Sequence, residues 1–159
     1  MSMLNSPISR ALTVLTSAVA ALMLLAGTAH ATKRFDRVAS NKVVITINKS
    51  TQRMTVRVGG VQRYTFRVST GKRGHATPRG TFRPTRLAKM HYSRKYNMAK
   101  MPNSVFFTNR GHAIHGTNAV RRLGRPASHG CVRLAPGNAA ALFALVKRYG
   151  ARNVTIRVI

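Results

Sequence analysis

The chain has 159 residues, enough for one domain with a real core. It carries 28 Lys and Arg against a single acid, Asp36, for a formal net charge of +27, which excludes a surface of balanced ion pairs and favours polyanionic surroundings. One cysteine, Cys131, excludes an intramolecular disulfide and most structural zinc sites.

Residues 1–31 read as a secretory signal. Arg10 supplies a positive start, Ala11 to Ala26 is almost uncharged and mostly apolar, and Ala29-His30-Ala31 has the small-x-small form of a cleavage site. The alternative is an uncleaved anchor, since the apolar run approaches the length of a spanning helix. No cysteine follows it directly, so a lipid anchor is excluded, and no later segment is apolar enough to span a bilayer. With cleavage, no transmembrane segment is expected, and the protein is exported to the periplasm or cell envelope. Residues 32–41 form a short basic lead-in to a domain over 42–159. Export leaves little contact with nucleic acid, and the chain has no Trp, zinc-finger spacing or RNP-like run, so no nucleic acid partner is expected. Anionic envelope polymers fit the compartment better.

Residues 42–48 are rich in β-branched side chains and predict a strand. Lys49-Ser50-Thr51 is a turn. Residues 52–58 alternate, with Met54, Val56 and Val58 opposite Arg53, Thr55 and Arg57. Gly59-Gly60 makes a hairpin turn, and 61–68 alternate again through Tyr64, Phe66 and Val68. Thr70 to Gly80 is loop, and Thr81 to Arg86 another strand. Residues 87–103 have no clean period and contain Pro102, which predicts a long loop or lid. Ser104–Thr108 and His112–His115 are short strands around an Asn109-Arg110-Gly111 turn. A helix opens at Pro136, runs through Leu142, Phe143, Leu145, Val146 and Tyr149, and ends at Gly150 in a left-handed conformation. Residues 153–158 alternate as a strand. The expected fold is mostly β, a sandwich or partly open barrel of short mixed strands, with one main helix toward the C-terminus.

Two short runs carry the chemistry. In Ile114-His115-Gly116-Thr117, His115 lies sixteen residues before Cys131 of the cysteine run Ser128-His129-Gly130-Cys131-Val132-Arg133-Leu134. A cysteine nucleophile attacks as thiolate, so it needs a base or a positive field. His115 is the candidate base, and the positive surroundings are expected to lower the thiol pKa. The amides of His129, Gly130 and Cys131 can form an oxyanion hole, with Gly130 permitting close backbone approach. Arg133 offers a fixed cation for a substrate carboxylate. Each residue alone has a plainer reading: a buried thiol, a structural histidine, a surface arginine. His129 could equally be a second base, a structural hydrogen-bonder or a ligand. His112, His115, His129 and Cys131 match none of the common zinc spacings, so no metal and no cofactor is expected. His75 and His91 are read as surface residues.

A Cys-His-Asp triad would need Asp36, which is remote in sequence. The ring of His115 is therefore expected to be oriented by a backbone carbonyl or a hydroxyl. Asp36→Asn leaves activity within about twofold on that view, and near-complete loss in a turnover assay would refute it.

Together the two runs resemble the catalytic domain of the L,D-transpeptidases (YkuD type). Ser69-Thr70-Gly71, Thr77-Pro78-Arg79-Gly80-Thr81-Phe82 and Met101-Pro102 with Phe106-Phe107 are similar to further segments of that family. The resemblance covers roughly 42–159. It implies that Cys131 attacks the L,D amide of a peptidoglycan stem tetrapeptide, that His115 passes the proton to the departing D-Ala, and that the acyl group goes to a second stem. It implies supporting roles for Ser128, His129, Gly130 and Gly116, and stem binding by Arg133 and Thr117. Water as acceptor would make an L,D-carboxypeptidase; a protein lysine would anchor an envelope protein. A non-enzymatic polyanion binder retaining the fold is the alternative from another class. Asn103 stands where the family often has Tyr.

Overall fold

The computed structural model describes residues 42–159. The expected signal and basic lead-in, with Asp36, lie outside the described residues. Nine strands and one sizeable helix are seen there, arranged as two sheets over a shared core.

The first sheet is built on the alternating segments. Strands β1 (Val43–Asn48), β2 (Arg53–Val58) and β3 (Val61–Arg67) form a sequential antiparallel meander. Asn48 closes the first turn, its Oδ1 accepting from the Ser50 and Thr51 amides at 2.9 and 3.0 Å. Met54, Val56 and Val58 are buried while Arg53 and Arg57 are exposed, as the period of two requires. β4 (Gly80–Phe82) and β9 (Val154–Val158) complete the order β3-β2-β1-β9-β4, with β9 parallel to β1. The second sheet has the order β5-β6-β7-β8, from β5 (Arg86–Ser93), β6 (Ala99–Phe106), β7 (Ala113–Gly116) and β8 (Val132–Leu134). The helix, α1 (Pro136–Tyr149), lies against β6 and β7. It buries Ala139, Leu142 and Val146 in the core that Ile45, Val56, Ile114 and Ile156 supply from the two sheets.

Three expectations are corrected. The strand expected over Thr81–Arg86 stops at Phe82, because Pro84 interrupts it, and β5 starts afresh at Arg86. The region 87–103 is no irregular loop but most of a β5–β6 hairpin, with a turn of 3₁₀ helix over Arg94–Tyr96. Within 87–103 only Met101 is buried, so no apolar alternation marks that part of the hairpin. Pro102 is tolerated because β6 meets β7 only at Val105 and Phe106, leaving one side without a neighbouring strand at Pro102. The helix end at Gly150 has φ 76° but an extended ψ of 146°, so it is not an αL cap. Among the described residues, no helix is long and apolar enough to cross a membrane.

Candidate active site

The cysteine run is held by the segment that follows β3. Ser69 and Arg133 exchange two backbone hydrogen bonds, at 3.1 and 2.9 Å, and the Thr70 carbonyl accepts from the Ala127 and Ser128 amides, both at 3.0 Å. Thr70 is itself fixed by the buried Gln52 amide group, which accepts from its N–H at 2.9 Å and donates to its Oγ1 at 2.7 Å. Thr77 then ties the loop ahead to the cysteine run. Its buried Oγ1 accepts from the Gly71 amide at 2.9 Å and donates to the Gly130 carbonyl at 2.8 Å. The upstream Ser-Thr-Gly and Thr-Pro segments are thus the scaffold of the cysteine loop.

Within the loop, buried Ser128 accepts from the Gly130 amide at 3.1 Å and donates to the Cys131 carbonyl. Gly130 has φ 114°, and a Cβ on it would meet His112 Cδ2 at 3.0 Å. Glycine is required there for both reasons. The same bond corrects one expectation. The Gly130 amide is committed to Ser128, so the amides left for an oxyanion are those of His129 and Cys131.

Parallel pairing of β7 and β8 sets His115 opposite Arg133. Cys131 immediately precedes β8, and both it and His115 line the same cleft. His115 is buried, and its Nδ1 donates to the Gly116 carbonyl at 2.8 Å. A carbonyl only accepts, so the proton sits on Nδ1 and Nε2 keeps the lone pair. A backbone carbonyl thus orients the ring, as expected where no carboxylate is at hand. Burial lowers the His115 pKa to about 4, with Arg133 and His91 adding to the shift and the Gly116 hydrogen bond opposing it. The thiol is pushed up by burial, which outweighs the Ala113 amide and the charge of Arg133. The expectation of a depressed thiol pKa is therefore corrected: burial holds the thiol up and the imidazole down.

With His115 as the base, the lowered pKa sets the expected pH dependence. A base with pKa about 4 is lost only as pH falls through about 4, so the acid limb of acylation is expected there and not near 6.5. A profile of acylation rate against pH checks it, and an inflection near 6.5 would contradict it. The same depressed pKa weakens the fold in acid, by roughly 3 kcal/mol once pH has fallen from the unfolded value to the folded one. A thermal melt at each pH separates the two effects.

Arg133 is half-buried, with Nη1 donating to the Ala127 carbonyl at 3.2 Å. Thr117 is half-buried too, and its Oγ1 accepts from the Ala119 amide at 3.2 Å. A Cβ on Gly116 would press on Pro102 and Ala139 at 3.1 and 3.3 Å, so its smallness lets β7 lie against α1. Cys131, His115, Arg133, Thr117, Ser128 and His129 all line one cleft of about 1420 Å³. Among the described residues, no three His, Cys, Asp or Glu side chains gather as a metal site.

Four residues enter the cleft wall in roles that the sequence does not show. His112 lines the cleft with its Nδ1 at 2.8 Å from Thr108 Oγ1. Tyr96, from the hairpin tip, stacks on the exposed His129 ring at 4.7 Å, and His75 meets the same ring edge-on at 4.9 Å. His91 stands edge-on to Phe106 at 5.1 Å and also lines the cleft. His75 and His91 are thus parts of the cleft wall rather than unattached surface residues. Tyr96 and His91 share one visible signal, their position in a segment read as a lid.

The family model described as the YkuD L,D-transpeptidase catalytic domain matches residues 42–156. The chain belongs to this family. YqjB of Bacillus subtilis (strain 168), whose name carries a provisional L,D-transpeptidase assignment, is 30% identical over 111 residues, covering 62% of this chain and 63% of that protein. The structure of an L,D-transpeptidase from Mycobacterium smegmatis superposes with a TM-score of 0.66 at 25% identity, covering 74% of this chain and 58% of that one. One from Stackebrandtia nassauensis gives 0.65 at 26% identity, with 74% and 55% covered. LdtMt1, solved in complex with imipenem, gives 0.65 at 25%, with 74% and 58% covered. The chain therefore spans somewhat under two thirds of the length of each. The YkuD domain here consists of the two sheets and α1, and the mostly-β fold with one main helix agrees with the sequence reading.

Proposed function

We propose that the protein is a peptidoglycan L,D-transpeptidase that works through a thioester on Cys131. The observation that carries this reading is the single-tautomer His115, held by the Gly116 carbonyl in the same cleft as the thiol. In the first step the Cys131 sulfur bonds to the carbonyl carbon of the diamino acid before the terminal D-Ala of a stem tetrapeptide. His115 Nε2 takes the thiol proton and gives it to the D-Ala nitrogen as the C–N bond breaks. The His129 and Cys131 amides face the transient oxyanion. In the second step an amine of another stem, or of an envelope protein, bonds to the same carbon. The C–S bond breaks, and the amine's proton returns through His115 to the sulfur. Arg133 holds a stem carboxylate, and Thr117 borders the stem.

Incubation with disaccharide-tetrapeptides followed by mass spectrometry tests the reading. A cross-linked dimer short of one D-Ala is the expected product. A tripeptide alone would assign water as the acceptor and make the protein an L,D-carboxypeptidase. No change in the substrate would sink the enzyme reading in favour of a binding role. The LdtMt1 complex supports a second readout, in which imipenem adds once to the intact mass.

The same reading places the protein in the periplasm or cell envelope, exported by residues 1–31. There its basic surface, +27 over the chain with one acid, holds it on anionic wall or outer-membrane polymers. Pelleting with isolated walls is expected at low salt and lost as salt shortens the screening length to a few ångströms. Binding indifferent to ionic strength would refute it.

A further inference from the structure

The β5–β6 hairpin brings an uncompensated set of cations to the cleft. Residues 42–159 contain no Asp or Glu, so no side-chain carboxylate of the domain can neutralise them. Arg86, Arg94, Lys95 and Lys100 from the hairpin and Arg110 from the turn before β7 line the cleft together with Arg133. Arg86 lies over the Phe106 ring at 3.9 Å. The fifth hairpin cation, Lys89, instead reaches over Phe143 of α1 at 5.9 Å.

The tip is docked on the reaction centre. Tyr96 stacks on His129 with the rings 19° apart, and its hydroxyl reaches the His129 carbonyl at 3.4 Å. Arg94 and Lys95 are therefore held beside the cysteine loop. Burial lowers the pKa of the neighbouring His112 and His91 rings, and the rim adds to it: Arg110 and Lys95 at His112, Arg86 and Arg94 at His91. Elsewhere cations rest on carbonyls, as Arg67 does on Leu123 at 2.9 Å and Lys49 on Thr77 at 2.7 Å. Arg94, Lys95, Lys100 and Arg110 donate no such bond among the described residues, which leaves their N–H groups for a ligand.

We propose that this rim makes the enzyme selective for stem peptides whose side carboxylates are free, against stems in which the same carboxylates are amidated. The inference rests on the transpeptidase reading and names its substrate class. A carboxylate meets the rim cations through charge-assisted hydrogen bonds, and a carboxamide offers only a dipole. The rim is exposed, so each contact is weak on its own, and the discrimination comes from several acting together.

The test uses the full chain and two tetrapeptide donors that differ only in amidation, with D-Ala release as the signal. The free-carboxylate donor is expected to show about tenfold higher kcat/KM, a gap that narrows as salt is raised. Replacing Arg94, Lys95 and Lys100 together by Gln is expected to close most of that gap, chiefly by raising KM for the free-carboxylate donor. All three are exposed, so the melt of this variant should match wild type. Arg110→Gln is a second, single variant expected to narrow the gap. Arg57→Gln, on the exposed face of β2, leaves it unchanged. Equal rates on the two donors, or a gap the rim variants do not move, would overturn the selectivity while leaving the transpeptidase intact. No D-Ala from either donor would instead overturn the reading beneath it.

Discussion

On the proposed reading, Cys131→Ala is expected to abolish thioester formation and to leave the domain folded. The sulfur is the only thiol in the chain, and no other side chain in the cleft can form a thioester. Its loss removes covalent chemistry altogether instead of slowing it. The cost to the fold is small for a definite reason. Cys131 is only partly buried and packs at the margin of a minor cluster of Met101, Phe106 and Ala113, away from the main core. Removing one sulfur there costs within about 1 kcal/mol. The measurement pairs intact-mass detection of the acyl-enzyme with a thermal melt. Residual acylation would move the nucleophile elsewhere, and a collapsed melt would make the cysteine structural.

Gly71→Ala has the opposite profile, a large loss of stability with activity falling as a consequence. A Cβ on Gly71 would stand 1.7 Å from the His75 carbonyl oxygen and 2.8 Å from the Thr77 amide nitrogen. Both are backbone atoms, so no rotamer change relieves the clash and the loop itself must move. That loop carries Thr77, which bonds the Gly130 carbonyl. We expect a loss of about 3 kcal/mol, a melt lowered by roughly 10–20 °C, and acylation reduced at least about tenfold at temperatures where the variant is folded. A melt within about 2 °C of wild type would show that the loop has slack that its backbone contacts deny.

The sequence exposed those parts of the fold in which one face is buried and the other is wet. β2 shows its core face through Met54, Val56 and Val58, and α1 shows its own through Leu142 and Val146. The outer part of the β5–β6 hairpin stayed hidden because, apart from Met101, its residues over 87–103 are exposed or partly exposed, so its pairing leaves no apolar period. β8 was missed for its length, three residues directly after the cysteine. In the site, His115 and Arg133 were legible as neighbours of Gly and Cys in short runs. What could not be read was how each is held. The Gln52 clamp on Thr70, the Thr77 bond to Gly130 and the Tyr96 stack on His129 all join segments far apart in sequence. The direction of the thiol shift was misjudged because net charge is visible in composition and burial is not; here burial dominates.

The place of β9 has a consequence for timing. This strand, Val154–Val158, lies between β1 and β4 and pairs with both, although β1 is made more than a hundred residues earlier. A nascent chain that has not yet released residues 154–158 lacks an interior strand of its first sheet. β1 then presents an open edge, and β4 has no partner in that sheet. Folding therefore cannot finish segment by segment during synthesis, and it waits for a long-range closure of the slow kind. A chain arrested short of residue 154 is accordingly expected to be cut readily by protease, and one extended through residue 158 to resist.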